Sequence, residues 1–259
     1  MAVYLKYFQK KNNIGDRFSL FLANKYFPGE IIGCDEKHLD KPNLILIGSI
    51  LQWGDSQSHI CGAGFIASNA ILNCIPASLN CIRGPLTGES LRLQGLPTTN
   101  CYADPGILAP AFFPQNKPSS FKLGIIPHYV DAHSPWVEIC RKEGIKVIDV
   151  LAPFEVFFEQ LQSCETIISS SLHGIIFAHA YNKPALWIEI SDLVIGDGFK
   201  FYDYYQSLDI MPESVKRIKV TSSTDPFEIA KLATSVNQTL LFEGLEEAIQ
   251  KTKKSIFNG

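Results

Sequence analysis

The residues best suited to chemistry fall in short clusters, each just after an apolar run. Ser169-Ser170-Ser171-Leu172-His173-Gly174 follows such a run. One serine would cap a helix there, which puts His173 in the first turn, where an imidazole can give or take a proton near neutral pH. The plainer reading of a lone histidine is a structural or surface role. Arg83-Gly84-Pro85-Leu86-Thr87 follows the apolar run 79–82. A guanidinium is costly to bury without an anion, and a helix N-terminus favours negative charge, so the pair suits a carboxylate or phosphate. A salt bridge to an aspartate such as Asp104 fits the same spacing. In Asn12-Asn13-Ile14-Gly15-Asp16, Gly15 permits a tight turn. Asp16 either caps the following helix or works as a base or hydroxyl acceptor. Gly48-Ser49 and Cys61-Gly62-Ala63-Gly64 could bring backbone N–H groups to an anion, although a glycine cluster is more often a simple turn. Lys200-Phe201-Tyr202-Asp203-Tyr204 follows Gly196-Asp197-Gly198, and Lys200 offers either a point charge for an anion or a solvated cation at a helix start. His128 follows Pro127 after another apolar run and is placed to line a cleft. His179 reads as packing, and His38, His59 and His133 have no such context.

The elements that must position these residues alternate. Strands are expected at 3–8, 44–47, 79–82, 122–126, 146–150, 166–169 and 185–190. Helices are expected at 17–26, 86–93, 135–143, 154–162 and 172–181, with helical periodicity from 226 to 256 broken near Gly244. Continuous apolar strands alternating with helices indicate parallel sheets covered on both faces, with ligands bound outside the carboxyl ends of the strands. The prolines at 105, 110, 114 and 118 bracket a polar piece and read as a hinge. This divides the chain into Rossmann-like lobes at 1–112 and 113–259, the last helix packing back on the first lobe.

Composition narrows the function. Hydrophobic residues make up 46% of the 259 and charged residues 19%, which supports a sizeable core and excludes a disordered chain. A net charge of −3 argues against a general nucleic-acid binder, while leaving room for a local basic pocket. The seven cysteines are widely spaced and form no CxxC pair, so they read as reduced, mostly buried thiols, and no metal-ligand cluster is evident. The N-terminus lacks the layout of a signal peptide, and the most apolar stretch, 44–51, is far short of a membrane span. The expectation is a cytoplasmic protein, with a peripheral contact at the inner face of the membrane left open.

Taken in order, Asn13-Ile14-Gly15-Asp16, Gly48-Ser49, Gly62-Ala63-Gly64, Arg83-Gly84-Pro85-Leu86-Thr87, Asp104-Pro105-Gly106, Ser170-Ser171-Leu172-His173-Gly174 and Lys200-Phe201-x-Asp203-Tyr204 resemble the polysaccharide pyruvyltransferase family. The resemblance runs from about residue 13 to 204, with the RGPLT and SSLHG segments its most specific parts. Cys61 stands where the family would place a tryptophan. The resemblance implies an α/β protein of two Rossmann-like lobes facing a cleft, glycosyltransferase-B-like. It implies phosphoenolpyruvate as donor substrate, no separate cofactor, and a glycan or lipid-linked sugar as acceptor, the product being a pyruvate ketal. It assigns Arg83, Lys200, Ser170 and Gly174 to the donor, Asn13, Gly62 and His128 to the acceptor, and His173 and Asp16 to catalysis. Two other readings are a nucleotide-sugar glycosyltransferase and a non-catalytic carbohydrate-binding protein. Dinucleotide binding is weakened because no GxGxxG follows the first strand.

Overall fold

A computed structural model of the chain describes residues 2–34, 40–116 and 118–258; His38 and Lys117 lie outside them. The chain forms two compact units. The first opens with β1 (Ala2–Lys6), α1 (Ile14–Tyr26), β2 (Glu30–Cys34), β3 (Asn43–Ile45), β4 (Ser58–Cys61), β5 (Ser78–Cys81) and α2 (Pro85–Leu93). The chain then enters the second unit for α3 (Ala109–Phe112), β6 (Phe121–Ile126), α4 (Pro135–Lys142), β7 (Lys146–Val147), α5 (Phe154–Gln162), β8 (Cys164–Ser169), α6 (Leu172–Ala180) and β9 (Ala185–Glu189). It returns to the first unit for α7 (Phe199–Gln206), gives β10 (Arg217–Lys219) and α8 (Pro226–Ala230) to the second, and ends in the first with α9 (Thr239–Asn258).

Each unit holds one five-stranded parallel sheet, ordered β2-β1-β3-β4-β5 in the first and β10-β9-β8-β6-β7 in the second. Numbered from each unit's own first strand, both orders are 2-1-3-4-5. That winding has a topological switch point beside its first strand, where loops leaving the carboxyl ends diverge and leave room for a ligand. In the first unit the switch point lies between β1 and β3, and in the second between β6 and β8.

The strands inside each sheet are buried on both faces because helices or loops cover both. Ile45, Ile60 and Ile82 pack with Phe65 and Leu91 in the first unit. Leu123, Ile125, Ile168 and Ile188 pack with Trp136 and Val137 of α4 in the second. On α5 and α6, Phe158 meets Phe177 edge-on at 5.1 Å, the geometry that ring quadrupoles favour. A buried ion pair closes the amino-terminal sheet: Lys6 Nζ, 0% exposed, donates to Asp55 at 2.5 Å and to the Trp53 carbonyl at 2.8 Å. Burial alone would raise the Asp55 pKa, but the bonds from Lys6, Asn43 and Gln57 hold it down to about 2.

Several boundaries differ from the sequence expectation. The first unit ends at Pro105 instead of 112, and it also contains Gly196–Glu213 and Thr239–Gly259. The proline-rich stretch is packed structure rather than a free hinge. It contains α3, and Phe113 stacks on Phe158 at 4.5 Å while its carbonyl accepts a bond from Gln162 Nε2 at 2.9 Å. Helix α9 runs unbroken through Gly244; the interruption falls earlier, between α8 and α9. The strands β2, β4 and β10 were not anticipated.

Candidate active site

In the first unit the candidate residues gather at the switch point. Helix α1 starts at Ile14, three residues earlier than its apolar pattern suggests, because Asn13 caps it. Asn13 Oδ1 accepts bonds from the Gly15 and Asp16 N–H groups at 3.1 and 3.2 Å. Asp16 is therefore a first-turn residue and not the cap. It is buried, takes a bond from the Asn13 amide, and has Gly48 beside it: a Cβ on Gly48 would lie 3.7 Å from Asp16 Oδ1. Gly48 has φ +116, a left-handed conformation that turns the chain sharply as it leaves the sheet beyond β3.

Arg83 is 0% exposed. Its Nε donates to Asp203 Oδ2 at 2.9 Å, Nη1 to Ser49 Oγ at 2.8 Å and Nη2 to the Phe65 carbonyl at 2.6 Å. Its aspartate partner is Asp203, 120 residues away, and not Asp104. The same carboxylate sits on the N-terminus of α2, accepting from the Thr87 N–H at 2.8 Å and the Thr87 hydroxyl at 2.7 Å. The anion that the RGPLT segment attracts is thus Asp203, supplied by the chain itself. Gly64 and Gly84 make this possible: a Cβ on Gly64 would lie 2.6 Å from the guanidinium, and one on Gly84 would lie 1.9 Å from the Asp203 carbonyl oxygen. Gly62 answers a packing need, since a Cβ there would lie 2.2 Å from Pro105 Cδ.

Lys200 stands in the first turn of α7 and is 7% exposed. Its ammonium lies 5.9 Å from the Phe201 ring centroid, and among the described residues it makes no hydrogen bond or ion pair. Burial pushes its pKa down to about 8; the like charge of Arg83 lowers it further, and Asp16 pulls it back up. Asn13, Asp16, Ser49, Arg83 and Lys200 thus form one electrostatic neighbourhood.

In the second unit the switch point is built from hydroxyls. Asp131, 1% exposed, accepts from Ser170 Oγ at 2.7 Å and from Ser191 Oγ. Ser170 Oγ in turn accepts the His128 N–H at 2.9 Å. One carboxylate therefore ties together the loops that leave β6, β8 and β9. Ser169 Oγ donates to the Ile126 carbonyl at 2.7 Å, and the Ser171 N–H donates to Ser169 Oγ at 3.0 Å. Ser171 occupies the N-cap position of α6, but its side chain makes no capping bond, which corrects the expectation that a serine would cap this helix. His173 occupies its first turn, half-buried, 5.8 Å from the Phe177 ring. Gly174 lets the helix approach the sheet: a Cβ would lie 2.2 Å from Ser169 Oγ. His179, at 1% exposure, is packing, and burial lowers its pKa to about 4.

The structure thus brings Asn13, Asp16, Arg83 and Lys200 together in one unit, and His128, Ser170, His173 and Gly174 together in the other. Sequence reasoning quoted Thr87 and Asp203 within its motifs without giving them a role, and it passed over Asp131 and Ser191. Asp203 carries a readable signal, a carboxylate embedded in the aromatic run Lys200-Phe201-Tyr202-Asp203-Tyr204-Tyr205. Asp131 carries none. Among the described residues, no group of three or more His, Cys, Asp or Glu is placed to hold a metal, and no helix is long and apolar enough to cross a membrane.

Residues 81–192 match the model of the family described as Polysaccharide pyruvyl transferase, so the resemblance read from the motifs is borne out over that segment. The chain is 29% identical over 268 residues to an uncharacterized protein of Acanthamoeba polyphaga mimivirus, covering 96% of this chain and 91% of that one. It is 27% identical over 204 residues to the succinoglycan biosynthesis protein ExoV of Rhizobium meliloti, covering 76% of this chain and 62% of that protein's length. No solved structure matches the chain.

Proposed function

Proceeding from the polysaccharide pyruvyl transferase domain at 81–192, we propose that the protein transfers a pyruvyl group from phosphoenolpyruvate to a sugar of a polysaccharide or of its lipid-linked precursor. The observation that carries this reading furthest is Lys200, a buried ammonium without an ion-pair partner among the described residues. Burying a cation with only the nearby Asp16 charge to offset it is costly, and an anionic substrate would relieve that cost. The uncapped N-terminus of α6, with Ser170 and Gly174 beside it, is a second place suited to an anionic group. Two parallel five-stranded units are also what a glycosyltransferase-B-like protein is built from.

The reaction consumes two hydroxyls of one sugar. A proton is added to the methylene carbon of phosphoenolpyruvate, and the neighbouring carbon becomes electrophilic. One hydroxyl attacks that carbon and gives up its proton. The C–O bond to phosphate breaks and inorganic phosphate leaves. The second hydroxyl then attacks the same carbon, loses its proton and closes the ketal. His173 is the proposed acid, its imidazole suited to the proton transfer. Asp16 is the proposed base or orienting group for an acceptor hydroxyl, with Asn13 holding the Asp16 carboxylate. Gly62 and His128 are retained on the acceptor side. Lys200 steadies the phosphate as charge builds on it. Arg83 acts on the donor indirectly, as a positioning residue that fixes α2, α7 and hence Lys200. No further cofactor enters this scheme. The protein acts where such precursors are made, on the cytoplasmic side of the membrane.

The test is incubation with phosphoenolpyruvate and a panel of sugar acceptors. The expected result is inorganic phosphate released in step with a ketal methyl signal by NMR. Nucleotide release from a nucleotide sugar, with phosphoenolpyruvate untouched, would replace this reading by a glycosyltransferase. Tight sugar binding with neither product would make the protein a carbohydrate-binding module.

A further inference from the structure

Three of the seven cysteines stand in a row. Cys61 ends β4 and Cys81 ends β5, and the two are direct partners in the parallel ladder. One strand further on, Tyr102 pairs with Ile82, and the Ile82 N–H donates to the Cys101 carbonyl at 3.1 Å. Cys101 is therefore the neighbour of Cys81 on its other side. Helix α9 lies over this end of the sheet. The Cys101 thiol reaches the Gly244 carbonyl at 3.5 Å. The three differ in access. Cys61 and Cys81 are 0% exposed, whereas Cys101 is half-buried and borders a cavity of about 350 Å³ lined also by Asn80, Thr99, Glu247 and Lys251.

From this ladder and its cavity we propose that Cys101 is a site of reversible oxidation by a peroxide, with Cys81 as the thiol that resolves it to a disulfide. Neighbouring strands run about 4.8 Å apart, and a disulfide spans Cα atoms roughly 4.4–6.8 Å apart, so the spacing of the pair falls within the range a disulfide bridges. Electrostatics favour the same division of labour. The proximity of the two thiols lowers the Cys101 pKa, with Lys251 helping, and raises that of Cys81, which burial raises further. Burial pushes Cys61 up to about 12, which leaves it a poor competitor. The thiolate is the nucleophile in such chemistry.

The steps balance. The Cys101 thiolate attacks one oxygen of hydrogen peroxide and the O–O bond breaks. Hydroxide departs and takes up a proton to become water, and the sulfur, oxidised by two electrons, becomes a sulfenic acid. The Cys81 sulfur then attacks that sulfur. The S–O bond breaks, the hydroxyl leaves as water with the Cys81 proton, and the S–S bond forms. An external dithiol reverses the reaction by exchange.

Treating the whole protein with hydrogen peroxide, alkylating the remaining thiols and mapping peptides by mass spectrometry tests this directly. The expected result is a loss of two hydrogens, located as a link between Cys81 and Cys101 and reversed by dithiothreitol. In Cys81→Ser the same treatment with dimedone present should tag Cys101 ahead of the half-buried Cys34 and Cys74. A wild-type protein that oxidises without a Cys81–Cys101 link overturns the proposal, as does a folded Cys81→Ser protein whose first tag falls on Cys34 or Cys74.

Discussion

The two units share a strand order and differ in what stands at their switch points. In the first, the order β2-β1-β3-β4-β5 carries charges: Arg83 and Asp203 locked together, and Lys200 and Asp16 beside them. In the second, the order β10-β9-β8-β6-β7 carries a hydroxyl network, with Ser170 and Ser191 bonded to Asp131 and His173 at the start of α6. Each unit uses one buried aspartate to tie loops that diverge from its sheet. In the first the tie is ionic and joins segments 120 residues apart; in the second it is a set of hydroxyl bonds joining segments 39 and 60 residues apart. The same winding therefore yields one site whose integrity depends on charge balance and one whose integrity depends on hydrogen-bond geometry.

The difference is most sharply broken at Arg83. Replacing it by methionine strands the Asp203 carboxylate in the interior, and removing one partner of a buried pair costs about 3–5 kcal/mol. Thermal unfolding should show a large fall in Tm; an unchanged Tm would mean that the ionic tie does not hold the first unit together. His173→Ala tests the other unit. If the ring is the proposed acid, turnover should fall by about 10²–10³ with the circular dichroism spectrum and Tm unchanged; an active variant removes His173 from the mechanism.

Lys200→Met separates charge from stability. Burial has lowered the folded pKa of Lys200 to about 8, below its ordinary 10.5. The folded state therefore holds this proton less tightly than the unfolded chain does, and the cost is fully present below pH 8. It fades as pH rises from about 8 toward the unfolded value, so in that window this residue makes stability rise with pH. Methionine should raise Tm by a few degrees at pH 7 while sharply increasing the KM for phosphoenolpyruvate. For the wild type, kcat/KM for the donor should fall as pH rises past about 8 in the free protein, as the ammonium is lost. A flat profile would take Lys200 out of donor binding. The smallest effect belongs to Asn13→Ala, which removes the α1 cap and costs about 1 kcal/mol. It should also loosen Asp16, so KM for the acceptor should rise more than KM for the donor.

How much of this was legible in the sequence follows the range of the interactions. Helix α5 was placed correctly to both ends because its apolar spacing is unbroken, and β9 was bounded to within one residue. Strand β4, Ser58–Cys61, was missed although it is central. Its polar residues are satisfied inside the fold: Ser58 Oγ donates to Asn43 at 2.7 Å, and His59 pairs with Ser78 at 2.9 Å. Burial of satisfied polar groups erases the hydrophobic signature on which strand reading depends. β2 and β10 are edge strands, half-exposed and short, with little apolar pattern to read. The break expected at Gly244 is absent: a single helical glycine costs only about 1 kcal/mol against alanine, and α9 carries it through. The motif residues themselves were legible by type. That Arg83 would find its anion in Asp203 was not, since no local spacing encodes a contact between α2 and α7.

The discontinuity of the first unit has a consequence for synthesis. Residues up to Pro105 carry its whole sheet, yet Gly196–Glu213 and Thr239–Gly259 belong to it as well. A nascent chain leaving the ribosome therefore exposes Arg83 before its carboxylate exists. The second unit has nearly all of its strands by Ile195, so it can consolidate while its predecessor waits for Asp203 and for the final helix. Vectorial folding of this chain is thus out of order: the part translated first is the part completed last.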